Sequence, residues 1–279
     1  MTGRDTTAYD LKLFAGTAAY YARYRPPYPA ESIEHLVDEF DLSAGVPVLD
    51  LGCGTGQLAV PLARAGCRVW AVDPDVEMVL EGTRRQPAEL TGDVRWVVSR
   101  AENLRADDLP PIRLCTMGAS FHWMDRAGVL AFLDRVIEAA GGIALLSGSA
   151  SIWSRDGELQ GEWVEVTREV ITEFLGLQRR AGGGTYSHPK LTHEQVLADS
   201  AFNAVGQCRF TTTRLLTVDD VIGQQLSTSY ASPDLLGNRL EQFRRELDRR
   251  LRQIVPDEGF ATVEHTDVIV ARRGGGGAG

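Results

Sequence analysis

Residues 48–56 read Val48-Leu49-Asp50-Leu51-Gly52-Cys53-Gly54-Thr55-Gly56, an apolar strand running straight into three glycines at alternate positions. This segment constrains the fold more than any other. Glycines placed so closely let the backbone turn sharply and approach a ligand with no Cβ in the way. A helix opening at Gln57 would add the free N–H groups of its first turn. Around this unit the pattern alternates. Helices are expected at 30–40, 57–65, 74–85 and 126–139, with strands at 46–51, 67–72, 94–98, 114–117 and 143–146. Such alternation with short connections predicts a parallel sheet covered by helices on both faces, wound right-handedly. Ligands of such sheets sit beyond the carboxyl ends of the strands, beside the first strand.

The second half reads differently. Leu159, Trp163, Val166, Val170 and Phe174 recur at helical spacing over 158–175. A glycine-rich loop follows, then helices at 218–228 and 233–254 and strand-like runs at 209–216 and 260–271 that should extend the sheet. The expected architecture is α/β, a doubly wound, mostly parallel seven-stranded sheet with an inserted helical lobe. Its parts are an N-terminal cover segment (1–30), a core (31–150), a helical insertion or lid (151–206), the C-terminal part of the core sheet with helices (207–273) and a disordered tail (274–279).

Composition narrows the function. Hydrophobic residues make up 43% and charged residues 24%, ordinary for a chain with a real core. No apolar run approaches the roughly 18 residues of a membrane span, and the first residues carry no signal-like apolar stretch. Cys53, Cys67, Cys115 and Cys208 are scattered without CxxC spacing, which suggests reduced thiols in a cytoplasmic protein and no metal set. A net charge of −9 argues against a nucleic-acid surface and favours small, cationic partners. The oligomeric state is left open.

A glycine loop alone identifies no ligand; the next strand sharpens it. Residues 68–72 run into Asp73, an acid placed to accept both ribose hydroxyls of a nucleoside. The loop has the order GxGxG, not the GxGxxG that faces a dinucleotide pyrophosphate. Residues 49–56 resemble the first motif of class I S-adenosylmethionine-dependent methyltransferases. Three further segments follow in that family's order: Asp73-Pro74 with Met78, Arg100-Ala101-Glu102-Asn103-Leu104, and Ala119-Ser120-Phe121-His122-Trp123. The resemblance implies S-adenosyl-L-methionine as cofactor, with S-adenosyl-L-homocysteine as product. It places Gly52, Gly54, Gly56 and Gln57 against the methionine and ribose parts, with Asp50 supporting the loop and Asp73 on the ribose. It sets Pro74 and Met78 beside the adenine, Ala101 and Glu102 on the purine edge, and Gly118 at the end of the fourth strand.

Tyr20-Tyr21 and Tyr24-Arg25-Pro26-Pro27-Tyr28-Pro29 resemble the opening of the trans-aconitate-type and natural-product subgroup, where the segment folds over the cofactor. Tyrosine faces suit a sulfonium cation, and Arg25 suits a carboxylate. Tyr21 and Arg25 are therefore cofactor candidates, and Tyr24 a catalytic and substrate candidate, unless these side chains only pack the first helix. His122 is the candidate base, since its ordinary pKa lies near neutrality; the alternative is a histidine that positions Trp123. Trp123 and His188 are substrate candidates. Glu158, Glu162, Glu165, Glu169 and Glu173 form one helical stripe, either a solvated face or a wall for a cationic substrate. The expected function is methyl transfer to a small polar metabolite, with N-methylation of an amine or amino sugar in a biosynthetic pathway preferred over O-methylation of a hydroxyl or carboxylate. An NAD-dependent oxidoreductase and a non-catalytic cofactor-binding regulator are the rival readings.

Overall fold

The computed structural model describes residues 14–148, 151–153, 159–177, 180–181, 184–185, 191–256 and 258–274. Five strands alternate with helices: β1 (Pro47–Leu51), β2 (Arg68–Asp73), β3 (Asp93–Val98), β4 (Ile112–Gly118) and β5 (Ile137–Leu146). Two long strands, β6 (Ala204–Leu216) and β7 (Phe260–Arg272), complete one seven-stranded sheet in the order β3-β2-β1-β4-β5-β7-β6. β1 to β5 pair in parallel, and β7 runs antiparallel to both β5 and β6. This is the expected Rossmann-like fold. The strand order turns around β1, between β2 and β4, and opens a crevice at their carboxyl ends.

β1 shows why the sheet holds. Val48, Leu49 and Leu51 have no exposed surface, and their side chains alternate between two apolar clusters. On one face Leu49 and Leu51 share a cluster with Met117 of β4, with Phe121, and with Leu133 of helix α5 (Arg126–Val136). On the other Val48 meets Leu36 of α2 (Ala30–Glu39) and Leu62 of α3 (Ala59–Arg64). Burying one such side chain is worth about 1.5–3 kcal/mol. Helix α4 (Val76–Arg85) is capped by Asp75, whose carboxylate accepts from the amides of Glu77 and Met78.

Several element boundaries differ from expectation, and three have a clear local reason. α3 begins at Ala59, not Gln57, because left-handed Gly54 and Gly56 spend the intervening residues on turns. Residues 137–141 belong to β5, where Ile137 pairs with Ile112 before a register shift. Gly141 sits at that shift, where a Cβ would lie 2.5 Å from the Arg113 carbonyl oxygen. The expected helix over 233–254 breaks at Gly237 (φ +52) into α9 (Pro233–Leu236) and α10 (Leu240–Arg252).

The helical lobe draws on two stretches of chain. Its core joins Trp163, Val170 and Ile171 of α6 (Glu162–Leu175) to Val221 and Leu226 of α8 (Val218–Leu226) and to Phe243, Leu247 and Leu251 of α10. Helix α7 (His193–Ala198) instead gives Leu197 to the cluster beneath the sheet. Helix α1 (Ala18–Tyr24) bridges the halves, with Tyr20 packed against the lobe core. None of the described helices is long and apolar enough to cross a membrane. The expected tail lies almost wholly outside the described residues.

Candidate functional site

Two adjoining cavities occupy the crevice. The smaller, about 80 Å³, is walled by Gly54, Asp73, Pro74, Met78, Ser99, Ala101, Glu102 and Met124. The larger, about 290 Å³, is walled by Arg25, Tyr28, Asp50, Cys53, Gln57, His122 and a set of residues from the second half of the chain. Phe14, Tyr21, Gly52, Gly118, Ala119 and Trp123 line both and form the seam.

The glycine loop is held from beneath and from the side. The amides of Gly52 and Cys53 both donate to the Val72 carbonyl, at 2.8 and 3.0 Å. Gly52 has φ +68, and a Cβ there would lie 2.4 Å from Ser120 Cβ, so no other residue fits without displacing the neighbouring loop. Ser120 in turn donates to the Leu51 carbonyl at 2.7 Å. Next to it Ala119 takes φ +50, a conformation that costs a non-glycine residue of order 1 kcal/mol and tends to mark functional loops.

Asp73 ends β2 at the wall of the smaller cavity. Its two oxygens accept from the amides of Gly54 and Asp75, each at 2.9 Å. Burial pushes its pKa up to about 6 against those two hydrogen bonds. Asp50, 1% exposed, accepts from Thr116 Oγ1 at 2.8 Å through one oxygen. Its other oxygen is buried with no partner among the described residues. Burial raises its pKa to about 7, opposed by the Thr116 bond and the Ala59 amide and reinforced by Asp73. A buried carboxylate with one oxygen unmet, on a cavity wall, is suited to a cationic ligand group. Asp73 beside an apolar slot of Pro74, Met78 and Ala101 is suited to a ribose and a purine. The residues present thus fit a methionine-bearing adenosine ligand.

The cover segment contributes unequally. Tyr21 lies over Gly54, its ring carbon 3.5 Å from where a Cβ would be, and Arg25 stacks on Tyr21 with its guanidinium carbon 5.1 Å from the ring centroid. Burial raises the Tyr21 pKa, with Arg25 opposing. Arg25 also donates to the Ser227 carbonyl at 3.4 Å. Tyr24 lines neither cavity. Its ring lies across Gly223 of α8, where a Cβ would approach to 2.2 Å, and stacks on Tyr20 at 6.3 Å. Its catalytic and substrate assignments therefore find no support in its placement, because the helical turn sends Tyr21 and Arg25 to the crevice and Tyr24 to the lobe. Tyr28, not foreseen as a site residue, takes the place on the larger cavity, its hydroxyl oxygen 2.5 Å from where a Cβ on Gly118 would stand.

His122 and Trp123 occupy a single 3-10 turn, ring centroids 4.6 Å apart, with His122 on the larger cavity. Behind it the His193 ring stacks at 6.3 Å, also 5.3 Å from Phe121. Burial lowers the His193 pKa, helped by Arg126 and opposed by Glu194. Glu102 lines the smaller cavity while accepting from the Asp125 amide at 3.0 Å. Gln57 donates to Thr55 Oγ1 at 2.8 Å and lines the larger cavity. Gly56 lines neither; the Trp96 ring packs where its Cβ would be. His188 lies outside the described residues.

The glutamate stripe is a solvated face. Glu162, Glu165, Glu169 and Glu173 are exposed; Glu165 pairs with Arg168, and Glu169 and Glu173 with Arg250 of α10. None lines the cavities, and Glu158 lies outside the described residues. The larger cavity is instead closed by residues not foreseen as site residues. These are Ser151, Ile152 and Leu159, then Gln224, Gln225, Thr228, Ser229 and Tyr230 at and after the end of α8, and Glu264 and Thr266 on β7. Glu264 is held by Arg214 at 3.4 Å. The one sequence signal for them is the polar run Gln224-Gln225 closing an otherwise apolar helix face. Among the described residues no cluster of His, Cys, Asp and Glu could hold a metal ion.

Comparison with known proteins agrees with this geometry. Residues 48–141 match the family described as methyltransferase domain. An uncharacterized methyltransferase of Mycobacterium tuberculosis is 34% identical over 165 residues, 58% of this chain and 60% of the relative's length. An uncharacterized methyltransferase of Schizosaccharomyces pombe is 26% identical over 93% of this chain and 95% of its own. Among solved structures, a protein assigned as a type II methyltransferase from Anaeromyxobacter dehalogenans superposes with a TM-score of 0.54 at 21% identity, over 90% of this chain and 98% of its own. A methyltransferase assigned to an antibiotic biosynthesis pathway of Anabaena variabilis gives 0.53 at 19% identity, over 88% and 98%. Residues 48–141 thus match a methyltransferase domain, in support of the class I resemblance read from the sequence. The cofactor of that class is S-adenosylmethionine, as the loop and Asp73 lead one to expect.

Proposed function

We propose that this protein transfers a methyl group from S-adenosylmethionine to a small, oxygen-bearing polar molecule. The observation that supports this is the bipartite crevice: a donor half ending on Asp73 and an acceptor half ending on His122, joined along one seam. When bound, the cofactor supplies an already activated methyl. Tyr21 covers the loop, and Asp50 and Asp73 hold the polar ends of the ligand. Arg25 offers a positive partner for a carboxylate. The acceptor half is of small-molecule size, near the low end of the roughly 300–1,000 Å³ usual for such sites. The chain's remaining work is to align the nucleophile, exclude water and remove its proton. His122 is positioned for that last task.

The charges of the larger cavity argue for a neutral acceptor over a cationic one. Among the described residues its acids are Asp50, assigned above to the cofactor, and Glu264, held by Arg214, while Arg25 adds positive charge. Once Asp50 is engaged by the cofactor, an ammonium group finds no unpaired acid among the described residues of that cavity. The test has two arms. Calorimetry with S-adenosylhomocysteine and with NAD identifies the cofactor. A methyl-transfer screen over hydroxy acids, phenols, sugars and amines, read by mass, identifies the acceptor. Binding of NAD alone, or homocysteine-ligand binding without turnover of any acceptor, would replace this reading with one of the rivals.

A further inference from the structure

The end of α8 and the residues just after it set five polar side chains on the larger cavity, Gln224, Gln225, Thr228, Ser229 and Tyr230, and three of them have work to do inside the fold. Gln225 accepts through Oε1 from the Tyr230 hydroxyl at 3.0 Å. The Ser227 carbonyl receives Arg25, and Thr228 Oγ1 donates to the Gln225 carbonyl at 2.6 Å while receiving the Ala231 amide. Gln224 is different. It lines the cavity, yet its side-chain nitrogen is shielded from solvent with no hydrogen-bond partner among the described residues. Folded proteins rarely leave such a donor unmet, and a leucine or methionine would cover the same surface with no polar group to desolvate. The terminal torsion of glutamine is soft, and no bond to that nitrogen has to break for it to turn into the cavity.

We propose that Gln224 is the residue that selects the methyl acceptor, by donating a hydrogen bond from its amide to a carbonyl or carboxylate oxygen of the substrate. The charges around it agree. Arg25 is the cation of that wall, and the neighbouring Glu264 is engaged by Arg214, so an oxygen acceptor is matched and an ammonium is not. Six residues of chain separate Gln224 from Ala231, and the intervening bonds brace the helix end so that the amide is presented from a rigid platform. The inference rests on the methyl-transfer reading only in taking the larger cavity as the acceptor side.

The test uses the full chain saturated with S-adenosylhomocysteine, and benzamide, benzoate and benzylamine as probes in saturation-transfer NMR at pH 7. Benzamide and benzoate are expected to bind and benzylammonium not to. Gln224→Leu should weaken benzamide and benzoate about tenfold, the worth of one well-made hydrogen bond. The isosteric Gln224→Glu should lose benzoate and gain benzylammonium. Both variants should keep homocysteine-ligand affinity within about threefold, well under one hydrogen bond. Preference of the unaltered protein for benzylammonium, an undiminished benzamide signal in Gln224→Leu, or no probe binding at all would overturn the proposal. Loss of homocysteine-ligand binding by the unaltered protein would instead overturn the donor reading, which the calorimetric control reports separately.

Discussion

Replacing Asp73 by asparagine keeps the shape of the side chain and removes one acceptor oxygen and the charge. In the structure both oxygens are engaged, one with the Gly54 amide and one with the Asp75 amide, each at 2.9 Å. An asparagine can serve only one of them. The other N–H then faces an NH₂ group and is left unmet, at a cost of about 1–3 kcal/mol to the folded loop. A ribose suffers separately. Each hydroxyl donating to a carboxylate is worth about 1.5–3 kcal/mol, and the amide can accept one such bond, uncharged. The combined loss in binding is about 2–4 kcal/mol, which makes S-adenosylhomocysteine roughly 30- to 1,000-fold weaker. Isothermal calorimetry on both proteins measures it, with ligand-free thermal unfolding as the control for the loop. If affinity falls less than about fivefold, under 1 kcal/mol, while the unfolding midpoint drops, Asp73 merely staples the glycine loop and the ribose role is refuted.

Other outcomes follow from the same geometry. His122→Ala should lower turnover by about 10²–10⁴, the usual worth of a positioned base, with homocysteine-ligand affinity nearly kept; unchanged turnover in the mass-based assay removes His122 from the catalytic role. Gly52→Ala must place a Cβ 2.4 Å from Ser120 Cβ at φ +68, so it should destabilise the fold by more than about 1 kcal/mol and weaken the cofactor, as thermal unfolding with and without ligand will show. Burial raises Asp50 and Asp73 to about 7 and about 6, so ionising them weighs against the ligand-free fold as pH rises from about 4, their unfolded value, through 7. A ligand that donates hydrogen bonds to both carboxylates favours their ionised forms. Its binding should release protons, and its affinity should rise from pH 5 to 7.5, as calorimetry in buffers of differing ionisation enthalpy can follow; a flat profile counts against both carboxylates as ligand contacts.

The donor half was legible because it is local. β1, the glycine loop and Asp73 are fixed by a strand, three glycines and the next strand, all within residues 47–73. The order of the later segments then distinguished the ligand. Tyr24 was misplaced because sequence shows that an aromatic segment covers the crevice, not which face of a seven-residue helix turns inward. That is settled by Gly223, two hundred residues away, whose missing Cβ leaves room for the Tyr24 ring. The glutamate stripe was ambiguous for the same reason. Its partner is Arg250 on α10, and only packing of α6 on α10 decides that the acids face it and solvent. Beyond the polar pair Gln224-Gln225, the residues of that wall carried no motif, since long-range contacts between side chains of ordinary type, such as Tyr230 and Glu264, leave no periodicity to read.

The separation is physical as well as sequential. The donor half hangs on the ends of β1, β2 and β4, whose side chains belong to the two clusters flanking the sheet. The proposed acceptor wall adds residues of α8, the turn after it and the start of the insertion, among which Ile152, Leu159 and Tyr230 belong to a third cluster with its own buried aromatic and leucine core. Helix α1 is shared, giving Tyr21 to the seam and Tyr20 to the lobe. A change in the lobe core can therefore shift Gln224 or Tyr230 without disturbing Gly52 to Gly56 or Asp73, and the acceptor can be altered while the methyl donor is kept. The exception is α1 itself. Gly223→Ala, by displacing Tyr24, would move Tyr21 with it and so weaken the cofactor from a position on the acceptor side.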